Sequence, residues 1–240
     1  MRSFYIAEKI TGAVTSISDA AQLHHLRDVL RLKAGDEVVI FDNEGTRYSC
    51  GIEKVDKKEA VMRIKSREAA PVRNLKLTIA CSIPKQSRMD EIIDKLTQLG
   101  VDAIIPLVTE RVIVKTQGSE QSRLERWRKI ALTASEQSHR NLPPVVSSIR
   151  SLREVLAESK QYRLRLVPTL EGERKTLRQV FSDSLPSSIL VLIGPEGDFT
   201  PPEISLALES GFIPVSLGDN VLRVETAAIA VVSYIKLAFE

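Results

Sequence analysis

The chain holds 11 glycines in 240 residues, and three of them punctuate the ends of two consecutive late runs with strand character. Gly194 and Gly197 follow the apolar run 189–193, and Gly218 follows the run 213–217. Loops at the carboxyl ends of parallel strands are where α/β sheets bind ligands. Glycine in such a loop lets backbone amides and carbonyls approach a small molecule closely. Neither loop fits G-x-G-x-x-G or G-x-x-x-x-G-K-[ST], which argues against a dinucleotide or nucleoside triphosphate held by phosphate cradling. The ligand these loops suit is one grasped by backbone.

Charged residues at the same loops widen the chemistry. Glu196 stands between the two glycines, where its carboxylate either faces a cationic ligand or locks the loop through backbone amides. Arg223 precedes an apolar helix that begins near residue 225; a guanidinium there can hold a phosphate or stabilise negative charge forming on a substrate. Glu225 and Thr226 suit a helix N-terminus, so capping is their structural role. Thr200-Pro201-Pro202-Glu203 is read as a helix start alone, with Thr200 as cap and Glu203 completing a capping box.

Those loops need a frame. From residue 75 the sequence alternates strand and helix: an apolar strand over 75–83, a helix over 89–99 stopped by Gly100, a strand over 103–108 and a long helix over 120–137. Strands follow at 164–168 and 189–193, then helices near 201–210 and 225–238. Alternation of this kind implies a mainly parallel sheet covered on both faces. The first 70 residues read differently, as a small β-rich barrel or sandwich with strand-like runs at 37–42, 47–55 and 60–68. Ser18-Asp19 is expected to cap a short helix with Leu23, Leu26, Val29 and Leu30 on one face and Arg27 and Arg31 one turn apart on another. Ala69-Ala70-Pro71 is a linker, giving two domains, 1–70 and 73–240.

Composition agrees with a folded, non-membrane chain: 43% of residues are hydrophobic and 27% charged. No apolar run approaches the roughly 20 residues of a membrane span, and the first residues lack the apolar core of a signal peptide, so a cytoplasmic location is expected. Cys50 and Cys81 have no second Cys or His at ligand spacing; they read as strand residues, and no metal is expected. The net charge of +3 is uneven: residues 1–72 carry 12 Lys/Arg against 11 Asp/Glu, 73–150 carry 13 against 8, and 151–240 carry 9 against 12. A basic middle and an acidic end suit a polyanion on one face and a different ligand elsewhere, or simply a solvated helix surface.

Taken together, Ile-Gly-Pro-Glu-Gly at 193–197, Leu-Gly-x-x-Val-Leu-Arg-x-Glu-Thr-Ala at 217–227, Glu-Gln-Ser-x-Arg at 136–140 and His-His-Leu-x-x-Val-Leu-Arg-Leu at 24–32 resemble the RsmE family. These are 16S ribosomal RNA uracil-N3 methyltransferases of the SPOUT superfamily. The resemblance runs through nearly the whole chain. It implies an α/β SPOUT methyltransferase domain whose C-terminal part forms a trefoil knot, preceded by a small PUA-like β-barrel that binds RNA. It also implies S-adenosyl-L-methionine as cofactor, a homodimer, and 16S rRNA within the assembled small ribosomal subunit as partner. Carried onto this chain, the cofactor loops are Pro168, Thr169 and Leu170; Ile193, Gly194, Pro195, Glu196 and Gly197; and Ser216, Leu217, Gly218, Val221, Leu222 and Arg223.

Transfer to uracil N3 requires loss of the imide proton with the sulfonium methyl in line, and positioning supplies roughly 7 to 11 kcal/mol of such a barrier. Arg223 and Glu225 are the catalytic candidates: Arg223 for charge on the uracil oxygens or the adjacent phosphate, Glu225 for fixing that guanidinium or assisting proton removal. Arg2, Arg27 and Arg31, with Arg88, Arg111, Lys115 and Arg140, are candidate RNA contacts. Three residues depart from the family pattern: Asp198 where a second glycine is expected, Gln98 in place of glutamate, and Asn220 where arginine is common. The competing readings are a SPOUT enzyme acting on another RNA and a non-catalytic dimeric RNA-binding protein.

Overall fold

The computed structural model describes residues 2–70, 74–84, 88–111, 119–170, 172–181 and 186–238. The chain divides into two compact units, Met1–Val72 with Ser135–Pro143, and Arg73–Ala134 with Pro144–Glu240. Among the described residues no helix is long and apolar enough to cross a membrane.

The first unit contains β1 (Ser3–Tyr5), β2 (Val14–Ile17), α1 (Ala20–His24), β3 (Glu37–Phe41), β4 (Arg47–Val55) and β5 (Ala60–Glu68). The strands form one sheet in the order β1-β3-β4-β5-β2. No ladder joins β1 to β2 among the described residues, so the expected barrel is a curled sheet rather than a hydrogen-bonded cylinder. Alternation sets the inner face: Tyr48, Cys50 and Ile52 of β4 and Ala60 and Met62 of β5 are buried with Phe4 and Ile40. Asp19 caps α1 by accepting from the amides of Ala21 and Gln22, at 3.1 and 2.9 Å.

Beyond α1 the expected single helical face breaks down. The chain continues as a π turn over His25–Val29, in which the Leu30 amide donates to the His25 carbonyl at 2.9 Å. The wider turn shifts the phase, leaving Leu23 and Leu26 buried but Val29 57% exposed. Arg31 lies past the helical turns at φ 56°, so it is not one α-turn from Arg27.

The second unit contains β6 (Lys76–Ser82), α2 (Arg88–Gln98), β7 (Ala103–Val108), α3 (Glu120–Gln137), β8 (Val145–Val146), β9 (Arg150–Ser151), α4 (Leu152–Glu158), β10 (Leu164–Pro168), β11 (Lys175–Thr176), α5 (Leu177–Val180), β12 (Ser188–Ile193), α6 (Pro201–Glu209), β13 (Ile213–Ser216) and α7 (Val224–Ala238). The main sheet runs β11-β13-β10-β12-β6-β7-β8, with β9 also paired to β7. Its ladders are all parallel. Side chains from α2, α3 and α7 pack with Leu77, Ile79, Cys81, Ile189 and Val191 on one face. Those from α4 and α6 pack with Ala80, Leu107, Leu190 and Leu192 on the other. That explains why β6 and β12 read as near-continuous apolar runs. Both cysteines are buried strand residues, and burial pushes both thiols up, Cys50 to about 11.

The segment Ser135–Pro143, which the boundary at 70–73 would leave in the second domain, belongs to the first unit because of its hydrogen bonds there. The Tyr5 amide donates to Glu136 Oε1 at 3.2 Å, Ser3 Oγ donates to the Glu136 carbonyl, and Asn141 Nδ2 donates to the Gly45 carbonyl at 3.0 Å. Glu136 of Glu-Gln-Ser-x-Arg thus ties the end of α3 to β1, and Asn141, just past the motif, reaches the turn between β3 and β4. Pro71 of the expected linker lies outside the described residues.

Candidate functional site

In chain order β12 is followed by β13, yet β10 lies between them in the sheet. Their carboxyl ends are therefore adjacent, and the loops that leave them meet. Around these loops is an open concavity, at the sheet edge where α/β folds bind small molecules. Pro168, Thr169 and Leu170 line it from β10, Ile193, Gly194, Pro195 and Gly197 from β12, and Leu217, Gly218, Val221 and Leu222 from β13. These are the proposed cofactor residues except Glu196, Ser216 and Arg223, which do not line it. Arg174, Asp198, Asn220, Val224 and Ala227 complete the wall.

Backbone conformation accounts for two of the glycines. Gly197 has φ 86° and Gly218 φ 114°, conformations an L side chain rarely adopts. The Ser216 hydroxyl accepts from the Gly218 amide at 3.2 Å, so Ser216 closes the turn instead of facing the cavity.

Asp198 explains its own departure from the family pattern. Its φ is 67°, the left-handed region in which glycine is the expected residue. Its carboxylate compensates by joining two loops: Oδ2 accepts from Thr169 Oγ1 and from the Leu170 amide, both at 2.8 Å, while Oδ1 accepts from the Phe199 amide at 2.8 Å. Arg111 donates to the Gly197 carbonyl and, at 3.1 Å, to the Asp198 carbonyl, so this candidate RNA contact braces the loop after β12. Arg174 donates to the Thr169 carbonyl at 3.1 Å. No pattern in the sequence marks Arg174, because its role depends on where the chain returns after β10.

Behind the loop, α6 starts as expected. Glu203 is 5% exposed; its Oε2 accepts from the Thr200 amide and its Oε1 from the Glu110 amide, each at 2.9 Å. The loop-locking role open for Glu196 falls to Asp198 and Glu203 instead. Glu196 Oε1 lies 3.6 Å from Arg88 Nη1, and the same nitrogen is 3.9 Å from Glu225 Oε1. Glu225 therefore does not fix the Arg223 guanidinium: residues two apart at a helix start point in different directions. Arg223 is exposed, and its guanidinium makes no hydrogen bond or ion pair among the described residues. It directly follows Leu222 and precedes Val224, both of which line the cavity.

The remaining RNA candidates are spread over both units. In the first, Arg27 and Arg31 line a shallow concavity with Lys33 and Lys54; Arg27 is already paired to Asp28 at 2.6 Å. Arg2 is exposed, and Arg140 donates to the Leu142 carbonyl at 2.5 Å. Lys115 lies outside the described residues. Gln98 donates to Asp94 at 2.9 Å on the exposed side of α2, away from the cavity, whereas Asn220 lies in the cavity wall.

A parallel sheet with a small-molecule site at its carboxyl edge, joined to a small β unit, is the plan of an RNA methyltransferase with a PUA domain. Residues 71–236 match the family model of the RNA methyltransferase domain and 17–65 that of the RNA methyltransferase PUA domain. The chain is 35% identical to ribosomal RNA small subunit methyltransferase E of Synechocystis sp., covering 99% of this chain and 80% of that protein. It is 32% identical to the Bacillus subtilis protein of that name, covering 95% and 93%. Ribosomal RNA small subunit methyltransferase E of Neisseria gonorrhoeae, solved bound to S-adenosyl methionine, superposes with a TM-score of 0.89 at 31% identity, covering 99% of this chain and 97% of that one. A methyltransferase of Legionella pneumophila, solved with the bound cofactor SAM, gives 0.89 at 33% identity, with 98% and 97% covered. The chain belongs to the ribosomal RNA small subunit methyltransferase E family.

Proposed function

We propose that this protein transfers a methyl group from S-adenosyl-L-methionine to N3 of a uridine in 16S rRNA of the small ribosomal subunit, giving 3-methyluridine. The observation that carries the reading is the cavity at the ends of β10, β12 and β13 in a chain that matches the RNA methyltransferase domain. Its make-up suits that cofactor: apolar side chains of Ile193, Leu217, Leu222 and Val224 for the adenosine, and glycine-opened backbone for its polar edges. When bound, S-adenosylmethionine supplies a methyl group on a cationic sulfur.

The residues of the chain do the rest. Asp198 and Arg111 hold the loops in register. Arg223, exposed beside Leu222, stabilises negative charge on the uracil oxygens or orients the neighbouring phosphate. Arg2, Arg27, Arg31 and Arg140 are the proposed phosphate contacts of the first unit, and Lys115 that of the second. We infer a homodimer: Leu170 and Val221, at the cavity rim, are 44% and 75% exposed, apolar surface that a second copy would cover. The trefoil knot in the C-terminal part and a cytoplasmic location belong to the same reading.

The test is label transfer. Purified protein with methyl-labelled S-adenosylmethionine should label RNA of small subunits from cells lacking the activity, and should leave large subunits unlabelled. Label confined to transfer RNA or to large subunits contradicts the reading.

A further inference from the structure

Three charged side chains from three separate elements meet beside the cofactor cavity without lining it: Arg88 at the start of α2, Glu196 in the loop after β12, and Glu225 in the first turn of α7. Arg88 Nη1 stands 3.6 Å from Glu196 Oε1 and 3.9 Å from Glu225 Oε1. Their neighbours in sequence, Pro195, Gly197 and Val224, are cavity wall. The Glu225 side chain is only 14% exposed, and its Oε2 is buried with no hydrogen-bond partner among the described residues. Its charge bears on the thiol of Cys81 beneath it, which burial and that charge both push up.

A helix N-terminus favours a glutamate at this position, but the dipole does not account for a buried carboxylate oxygen left without a donor, an arrangement that costs stability. A buried group left without a partner is explained by strain, by an ordered water or by a catalytic role, and the place of this one beside the cavity, in a cluster with Arg88 and Glu196, favours the last. One guanidinium between two carboxylates leaves the group net negative, so a backbone phosphate is repelled there, whereas an N–H donor is attracted. We propose that Glu225 Oε2 is the acceptor of the uracil N3–H proton, and that Arg88 is a positioning residue that holds Glu225 and Glu196 apart and aims Glu225. The proposal rests on the uracil-N3 reading above. As the bond from N3 to the methyl carbon forms, the methyl–sulfur bond breaks with its electron pair staying on sulfur, and the N3 proton passes to Glu225. The carboxylate loses its charge as the sulfonium loses its own, so the step separates no new charge. Arg88 on this account is not a phosphate contact.

The experiment compares wild type, Glu225→Gln, Arg88→Ala and Arg88→Lys. It reads single-turnover methyl transfer at saturating cofactor and RNA, S-adenosylmethionine binding by calorimetry, RNA binding across a salt series, and thermal unfolding to confirm the fold. Glu225→Gln should lower the rate about 100-fold or more, the scale of a lost general base, with cofactor and RNA affinities within twofold of wild type. On small subunits built with 5-fluorouridine RNA, whose imide proton leaves more readily, that deficit should shrink at least tenfold. Arg88→Ala should slow turnover about tenfold at unchanged RNA affinity, and Arg88→Lys should recover most of it. The proposal is overturned by a Glu225→Gln defect of equal size on both RNAs, or by one expressed as weaker cofactor binding. It is also overturned if Arg88→Ala weakens RNA binding and flattens its salt dependence, the signature of a phosphate contact. A wild-type product other than 3-methyluridine overturns the underlying reading, whereas 3-methyluridine made at full rate by Glu225→Gln overturns this proposal alone.

Discussion

Replacing Asp198 with alanine tests how the loops around the proposed cofactor cavity are held. Two of its three hydrogen bonds cross from one loop to another, to Thr169 Oγ1 and the Leu170 amide; the third, to the Phe199 amide, stays within its own loop. At about 1 kcal/mol net for each crossing bond, their loss removes about 2 kcal/mol from the preorganisation of the site, or about 30-fold in Kd. The left-handed backbone at φ 67° adds a separate penalty of about 1 kcal/mol for alanine over glycine. That penalty is present in both free and liganded protein, so it belongs to unfolding and not to binding. Calorimetric titration with S-adenosylmethionine should therefore show Asp198→Ala and Asp198→Gly weakened alike, about 30-fold, with Asp198→Asn in between. Urea unfolding should separate alanine from glycine by about 1 kcal/mol. Asp198→Ala binding cofactor within twofold of wild type would refute the latch, and equal unfolding of the alanine and glycine variants would refute the strain.

Four further outcomes follow from the geometry. Arg31 has φ 56°, so Arg31→Gly should raise unfolding stability by about 1 kcal/mol while weakening RNA binding and its salt dependence; a variant that loses stability contradicts the strain argument. Burial pushes the Glu136 carboxyl up to about 7, with the Tyr5 amide opposing and the Asp19 charge adding. The folded protein thus keeps a proton that the unfolded chain releases between about pH 4.5 and 7, so this stability is full below 4.5 and lost as pH rises through 7. Glu136→Gln should therefore gain on wild type by about 1–2 kcal/mol between pH 5 and 8, a figure reduced for partial exposure; a constant difference over that range counts against it. Glu203→Ala, which leaves the Glu110 and Thr200 amides without their acceptor, should cost about 2 kcal/mol in urea unfolding. Reversing Arg27 and Arg31 to glutamate should reduce RNA affinity in a filter-binding salt series, and unchanged binding removes them from the interface.

Much of the frame was legible from pattern alone. Apolar runs such as 189–193 and amphipathic runs such as 120–137 carry their period within one element, so strand and helix follow locally. Strands β1, β2, β8, β9 and β11 give no period to read in two to four residues; β13, equally short, shows in the sequence only because Gly218 punctuates its end. The π turn at His25–Val29 was missed for a related reason: a single extra residue per turn preserves composition while rotating Val29 and Arg31 out of place. Around the site, glycine spacing found Gly194, Gly197 and Gly218, since positive φ and close approach leave a mark in residue type. Asp198 was visible as an oddity, but its purpose was not, because that lies in donors 28 and 29 residues away. Arg174, and the placement of Arg88 between Glu196 and Glu225, depend wholly on the order of strands in the sheet. Sequence distance carries no trace of them.

The central claim is the reaction and its target atom. Small subunits from cells lacking the activity should be incubated with the protein and labelled S-adenosylmethionine, their RNA digested, and the labelled nucleoside identified by mass spectrometry against synthetic standards. Label in 3-methyluridine is the predicted result. Label in a ribose 2′-O-methyl or a carbon-5-methyl nucleoside would contradict it while leaving the cofactor site intact.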